Sequence, residues 1–163
     1  MATKTKLGSL AHYEKGGVQP IDDNPKYYAF SNIFEVAAKS KPYEKIAVGK
    51  NIKYVLEAIR AEGASPWYTA SHDEAALIMD GEVEVRLVKL DTPAAREDQE
   101  GTTMLEGQPK GKKMGRIIAR RGHMVLLPKG AAYQFHSSKP GVILFQTILG
   151  PLTIERWGEI CQS

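Results

Sequence analysis

From residue 51 onward the chain alternates apolar and polar side chains with a period of two. In GEVEVRLVKL, Val83, Val85, Leu87 and Lys89 fall on one face, and Glu84, Arg86 and Val88 fall on the other. That alternation marks a sheet with one buried face. Asp80-Gly81 divides this run from the apolar stretch before it. A tight turn of this kind needs positive φ at its central residues, so the dipeptide predicts a β-hairpin. NIKYVLEAIRAEG, residues 51–63, is a further strand candidate. From residue 115 to 151 the pattern predicts several short strands, broken at Gly122, at Pro128-Lys129-Gly130 and at Lys139-Pro140-Gly141. The tail LTIERWGEICQS predicts one more strand or a short helix. Evenly spaced short strands divided by turn residues point to a sandwich or barrel.

Three stretches break the pattern. Residues 1–29 are rich in turn formers and lysine and predict an irregular arm, which either packs across its own barrel or crosses to a partner. SNIFEVAAKS then predicts a short helix, with Ser31 as N-cap and Glu35 in the first turn. Residues 91–114 are polar, contain glycine and lack the period, and so predict a long mobile loop inserted between strands. The expected organisation is an N-terminal arm with a short helix over 1–50 and a β-barrel over 51–163, together one domain, which suits a length of 163 residues.

Composition narrows the function. The chain has 22 Lys and Arg against 19 Asp and Glu, a net charge of +3 spread along its length, too little for a nucleic-acid footprint. A single cysteine, Cys161, allows no intrachain disulfide and lacks a histidine nearby that would make it a nucleophile. Together with the lack of an apolar leader in MATKTKLGSL and of a membrane-length apolar run, it leads us to expect a soluble, cytoplasmic protein.

Two stretches carry the chemistry. In WYTASHDEAALIMDG, Glu74 is followed by six residues and then Gly81, and in GHMVLLPKGAAYQFH, Gly122 is followed by five residues, Pro128, one residue and Gly130. These spacings resemble the two motifs of the cupin superfamily, small jelly-roll barrels that hold a metal on three histidines and a glutamate. The resemblance implies an all-β fold. It also implies ligand positions, and there the chain departs from the family. Counting back from Glu74, the first two histidines are replaced by Tyr68 and Ala70, or with a longer spacer by Trp67 and Thr69. Counting on from Gly130, the third is replaced by Tyr133 and the terminal asparagine by Ser137. Glu74 alone survives, and one carboxylate does not hold a divalent iron or manganese ion, so the inherited site is expected to hold no metal.

A shifted site is a competing reading. His72 and Glu74 share a strand face, and His136 lies three residues beyond Tyr133, pointing the other way on a regular strand unless a bulge re-aims it. Hydrogen bonding near the barrel mouth is the simpler role for all three. Asp73 reads as a turn or rim residue, His123 as a strand residue and His12 as part of the arm. Trp67, Tyr68, Tyr133 and Phe135 line or flank the old cavity, and small barrels are usually packed solid by such side chains.

The whole chain further resembles the small subunit of the two-component hydroquinone 1,2-dioxygenases. The resemblance rests on IDDNPKYYAFSNIFEVAAKSKPYEKI, SPWYTASHDEAALIMDGEVEV and GHMVLLPKGAAYQFHSSKPGVILFQTILGP. It implies a non-catalytic chain without its own cofactor, paired two-and-two with a larger subunit that carries Fe(II) and cleaves the ring of an aromatic diol. Contact with that subunit is expected through the insertion at 91–114 or the arm around Tyr27, Tyr28 and Phe30. Two alternatives stand beside this one: a self-sufficient cupin enzyme using His72, Glu74 and His136, and a ligand-binding cupin without catalysis.

Overall fold

A computed structural model describes residues 8–14, 21–23 and 32–157. Tyr27, Tyr28, Phe30, Ser31 and Cys161 lie outside them. Residues 8–14 of the arm pack on the barrel: the Leu10 amide donates to Asp80 Oδ2 at 2.8 Å, and Leu10 and Tyr13 lie against Phe34, Ala37 and Val142. Helix α1 spans Ile33–Lys39 as expected, although its N-cap is Asn32, one residue later than the expected Ser31. The Asn32 carboxamide oxygen accepts from the Phe34 amide at 2.9 Å, and asparagine is as strong a cap as serine.

Ten strands follow: β1 Lys45–Asn51, β2 Tyr54–Ala64, β3 Tyr68–Thr69, β4 Glu74–Asp80, β5 Glu82–Leu90, β6 Thr103–Met104, β7 Gly111–Arg120, β8 Met124–Leu127, β9 Ala131–Ile148 and β10 Thr153–Ile154. The fold is an all-β jelly-roll barrel of the cupin type, with one short helix among the described residues. Strand β1 runs to Asn51 and pairs with β2, so residues 50 and 51 lie together in one strand. The tail supplies β10, which pairs in parallel with β1.

Strand β9 holds the barrel together. It pairs with β2, β3, β4 and β5, its first half chiefly with β5 and its second half with β4 and β2. Lys139-Pro140-Gly141 was expected to end a strand. Instead β9 runs through it for 18 residues and exchanges β5 for β4 there. Proline lacks an amide proton, so it fits where the ladder changes partners. The barrel's apolar contents include Ile59, Ile78, Val83, Val85, Phe135, Ile143 and Phe145, all nearly inaccessible to water.

Gly81 has the expected positive φ, +78°, but the expected hairpin does not form: β4 pairs with β8 and the second half of β9, and β5 with β7 and the first half of β9, so the chain bends at Asp80-Gly81 and passes from one half of β9 to the other. Val83, Val85 and Leu87 are buried as the alternation requires, but Lys89 is exposed near the strand's end and Val88 on the outer face is buried. Val88 shares an outer cleft with Trp67 and Pro109, so the insertion covers it. His123 lies in the turn before β8 and not on a strand, its Nδ1 accepting from the Arg120 amide at 2.9 Å.

The insertion at 91–114 is structured where a mobile loop was expected. It carries β6, which pairs with β3, and β7 already begins at Gly111. Thr102 is buried and Gly101 lies backbone to backbone with Gly150. Gly101 has φ +81°, and a Cβ there would fall 2.5 Å from Gly150 Cα. Both facts forbid a side chain. Gly101→Ala is expected to lower stability by about 2 kcal/mol or more in urea unfolding, and to raise proteolysis within 91–110 ahead of global unfolding.

Candidate functional site

The inherited frame closes around Glu74, at the start of β4 and 2% exposed. A carboxylate so deep needs donors, and three hydroxyls supply them. Tyr133 Oη donates to Oε2 at 2.6 Å, while Thr102 Oγ1 at 2.5 Å and Thr147 Oγ1 at 2.7 Å both donate to Oε1. Tyr133 and Thr147 come from opposite halves of β9, and Thr102 from the insertion. The residue that replaces the third family histidine therefore donates to the glutamate beside which that histidine would ligate a metal. Burial, and then the Glu74 charge, hold the Tyr133 phenol well above its usual range.

Tyr68 lies opposite Tyr133 in the sheet register, ring centroids 5.8 Å apart, and burial pushes its phenol up to about 12. Ala70 is buried too, so the shorter spacing brings Tyr68, Glu74 and Tyr133 to one region of the interior. Thr69 is engaged elsewhere, donating to the Ala131 carbonyl at 2.8 Å. Phe135 packs against Tyr133 with centroids 5.4 Å apart. Ser137, at the asparagine position, donates to the Glu82 and Lys139 carbonyls at 2.9 and 2.6 Å. A phenol already donating its proton, a methyl group and a committed carboxylate make no ligand set for a divalent ion.

The shifted site does not assemble either. His72 is fixed at the rim, its Nε2 accepting from the Gly101 amide at 3.1 Å and its Nδ1 lying 3.1 Å from the Asp73 carbonyl. His136 alternates with the buried Phe135 and Ser137, pairs with Glu84 across β5, and is directed away from Glu74. Among the described residues, no three His, Cys, Asp or Glu side chains form a metal-binding group. Asp73 is the expected rim residue, with Oδ1 accepting from the Lys129 amide at 2.8 Å.

Sequence reasoning missed an ion pair beside this site. Lys45 on β1 and Glu57 on β2 are 3% and 1% exposed, with Nζ 3.7 Å from Oε2. That is an ion pair too long for a hydrogen bond, and neither atom has a hydrogen-bond partner. Glu57 Oε1 accepts from Thr153 Oγ1 at 2.7 Å, which ties β10 to the pair. Burial lowers the Lys45 pKa and raises that of Glu57. The signal lay in the period: Val55, Glu57, Ile59 and Ala61 share one face of β2. A carboxylate in phase with three apolar inward residues calls for a buried partner.

On the outside, Trp67, Arg86, Val88, Pro109, Lys113 and Arg116 are among the residues lining a cleft of about 490 Å³, and the Trp67 indole nitrogen is buried without a hydrogen-bond partner.

Tyr133→Phe removes the single donor to Glu74 Oε2. Thermal or urea unfolding is expected to show a loss of about 1–3 kcal/mol, the cost of a buried unpaired acceptor. The native phenol keeps its proton above about pH 10, where an unfolded tyrosine releases it. The contribution of Tyr133 to stability is thus fully present below that pH and is lost as pH rises above it, and Tyr133→Phe is expected to flatten the decline at high pH.

No protein-family model matches the chain, and no curated protein matches it. Solved structures do. A chain of hydroquinone 1,2-dioxygenase PnpCD, in complex with Cd2+ and 4-hydroxybenzonitrile, is 54% identical with a TM-score of 0.93 over 99% of this chain and 98% of that one. A chain of hydroquinone 1,2-dioxygenase from Sphingomonas sp. TTNP3 with 4-hydroxybenzoate bound is 53% identical, TM-score 0.94, over 99% of both. PnpCD in complex with Fe3+ contains a second, longer chain of related fold, matched at 12% identity and a TM-score of 0.61 over 85% of this chain and 38% of that one. With identity above one half along nearly the full length of two such chains, this chain belongs to the hydroquinone 1,2-dioxygenase family.

Proposed function

We propose that this chain is the small, metal-free subunit of a hydroquinone 1,2-dioxygenase, supporting a larger cupin-fold chain that holds iron(II), with two copies of each. The observation that carries this reading is the replacement of the cupin histidines by Tyr68, Ala70 and Tyr133, in a chain similar from end to end to one chain of a metal-containing dioxygenase. On the larger subunit's own His and carboxylate ligands, iron(II) supplies the activation of O2 that opens the hydroquinone ring to 4-hydroxymuconic semialdehyde, both oxygen atoms entering the product.

The work of this chain is then to cover and position. Its outer sheet supports that reading. Leu56 on β2, Gln146 on β9, Ala75 on β4 and Leu126 on β8 are in register, and Met124 lies beside them opposite Leu77. Met124 is 68% and Leu126 61% exposed, so this face offers apolar surface to a partner. The Trp67 cleft offers a second contact: an indole N–H without an acceptor, flanked by Arg86, Lys113 and Arg116, suits a wall of a pocket for a phenolic substrate. His72, Glu74 and His136 carry no metal in this reading.

Metal content and O2 uptake with hydroquinone test the proposal. The chain alone is expected to hold no iron and consume no O2, whereas the chain purified with its larger partner holds about one iron per large subunit, the stoichiometry of one site on one ligand set. Stoichiometric metal on the lone chain, lost on His72→Ala, would overturn it. In the complex, Trp67→Phe keeps the apolar area and removes the N–H. It is expected to raise KM for hydroquinone about 5- to 20-fold with iron content unchanged, the loss of one hydrogen bond.

A further inference from the structure

We propose that the Lys45 ammonium is the resident cation of this barrel, supplied by the chain itself where the cupin frame gathers ligands around a metal ion, and that the interior consequently takes up no free metal.

The site is built for a cation. Lys45 is 3% exposed and projects inward from β1, leaving its outward neighbours Ile46 and Val48 to pack with Val36 of α1. Its Nζ stands 3.9 Å from the Phe145 ring centroid and 4.8 Å from that of Tyr68, the residue at the first family histidine position. Ring faces attract a desolvated cation. Glu57 lies at 3.7 Å. A carboxylate and two aromatic faces thus converge on a nitrogen that no hydrogen bond claims. Covalent attachment to β1 gives this cation an effective concentration that no dissolved ion matches, and a like charge in the same space repels any ion that enters.

Charge-neutral replacement separates this role from mere packing. In the full chain, purified with its partner, Lys45→Met keeps the length and removes the charge. It is expected to lower Tm by about 10 °C or to prevent folding, because breaking a buried pair strands its carboxylate. The double variant Lys45→Met/Glu57→Gln removes both charges and is expected to fold and to melt above Lys45→Met. A Lys45→Met protein that melts with the wild type, or a double variant no more stable than Lys45→Met, would overturn the proposal. Titration of the wild type with Mn2+ or Zn2+ gives the second reading. No rise in Tm that depends on Glu74 is expected; a rise abolished by Glu74→Gln would show a metal in the barrel and sink the idea.

Discussion

A carboxylate inside an apolar barrel is tolerated only when donors surround it, and the donors of Glu74 are drawn from three separate parts of the chain. Thr102 reaches it from the insertion, Tyr133 from the first half of β9 and Thr147 from the second. One buried side chain therefore fixes the insertion against the barrel and both halves of the longest strand against each other. Glu74 stands at the ligand position of the frame and gathers hydroxyl groups there, with Tyr133, at the position of the third family histidine, donating to its Oε2.

The frame was legible in the sequence because it depends on local requirements. Asp80-Gly81 announces a turn through its backbone conformation, and Val83, Val85 and Leu87 announce a face through alternation. Counting from Glu74 and Gly130 found Tyr68 and Tyr133 because the motif spacing fixes which side chains enter the interior. Thr102 and Thr147 could not be found that way: their role depends on contacts 28 and 73 residues away in sequence. The insertion looked structureless because its order comes from the Gly101–Gly150 approach and the His72 contact, neither of which leaves a periodic trace. Lys45 was hidden by its place before the first recognised strand, and Glu57 by the habit of reading charged strand residues as solvated.

The interior is filled at the positions where the cupin frame places its ligands. Aromatic rings occupy the space around those positions: Tyr68 lies against Tyr133, and Tyr133, Phe135 and Phe145 are in mutual contact. The polar groups left behind are joined to hydroxyls or paired with opposite charge. Such a compartment is rigid, because each polar member loses its partner when a neighbour moves.

Strand β9 has a consequence for how the molecule comes into being. Its second half pairs Thr147 with Val55 and Leu144 with Ala58, so the central ladders join positions nearly ninety residues apart. The β1–β2 hairpin is local and forms early, but β2 and β4 have no common neighbour until β9 arrives. Loop-closure entropy must be met before those ladders return any energy, which places the fold among slow, non-local topologies. During synthesis the barrel cannot close until almost the whole chain has emerged. Through that interval the inner faces of β2 and β4, with Glu57 and Glu74 on them, stand open to water.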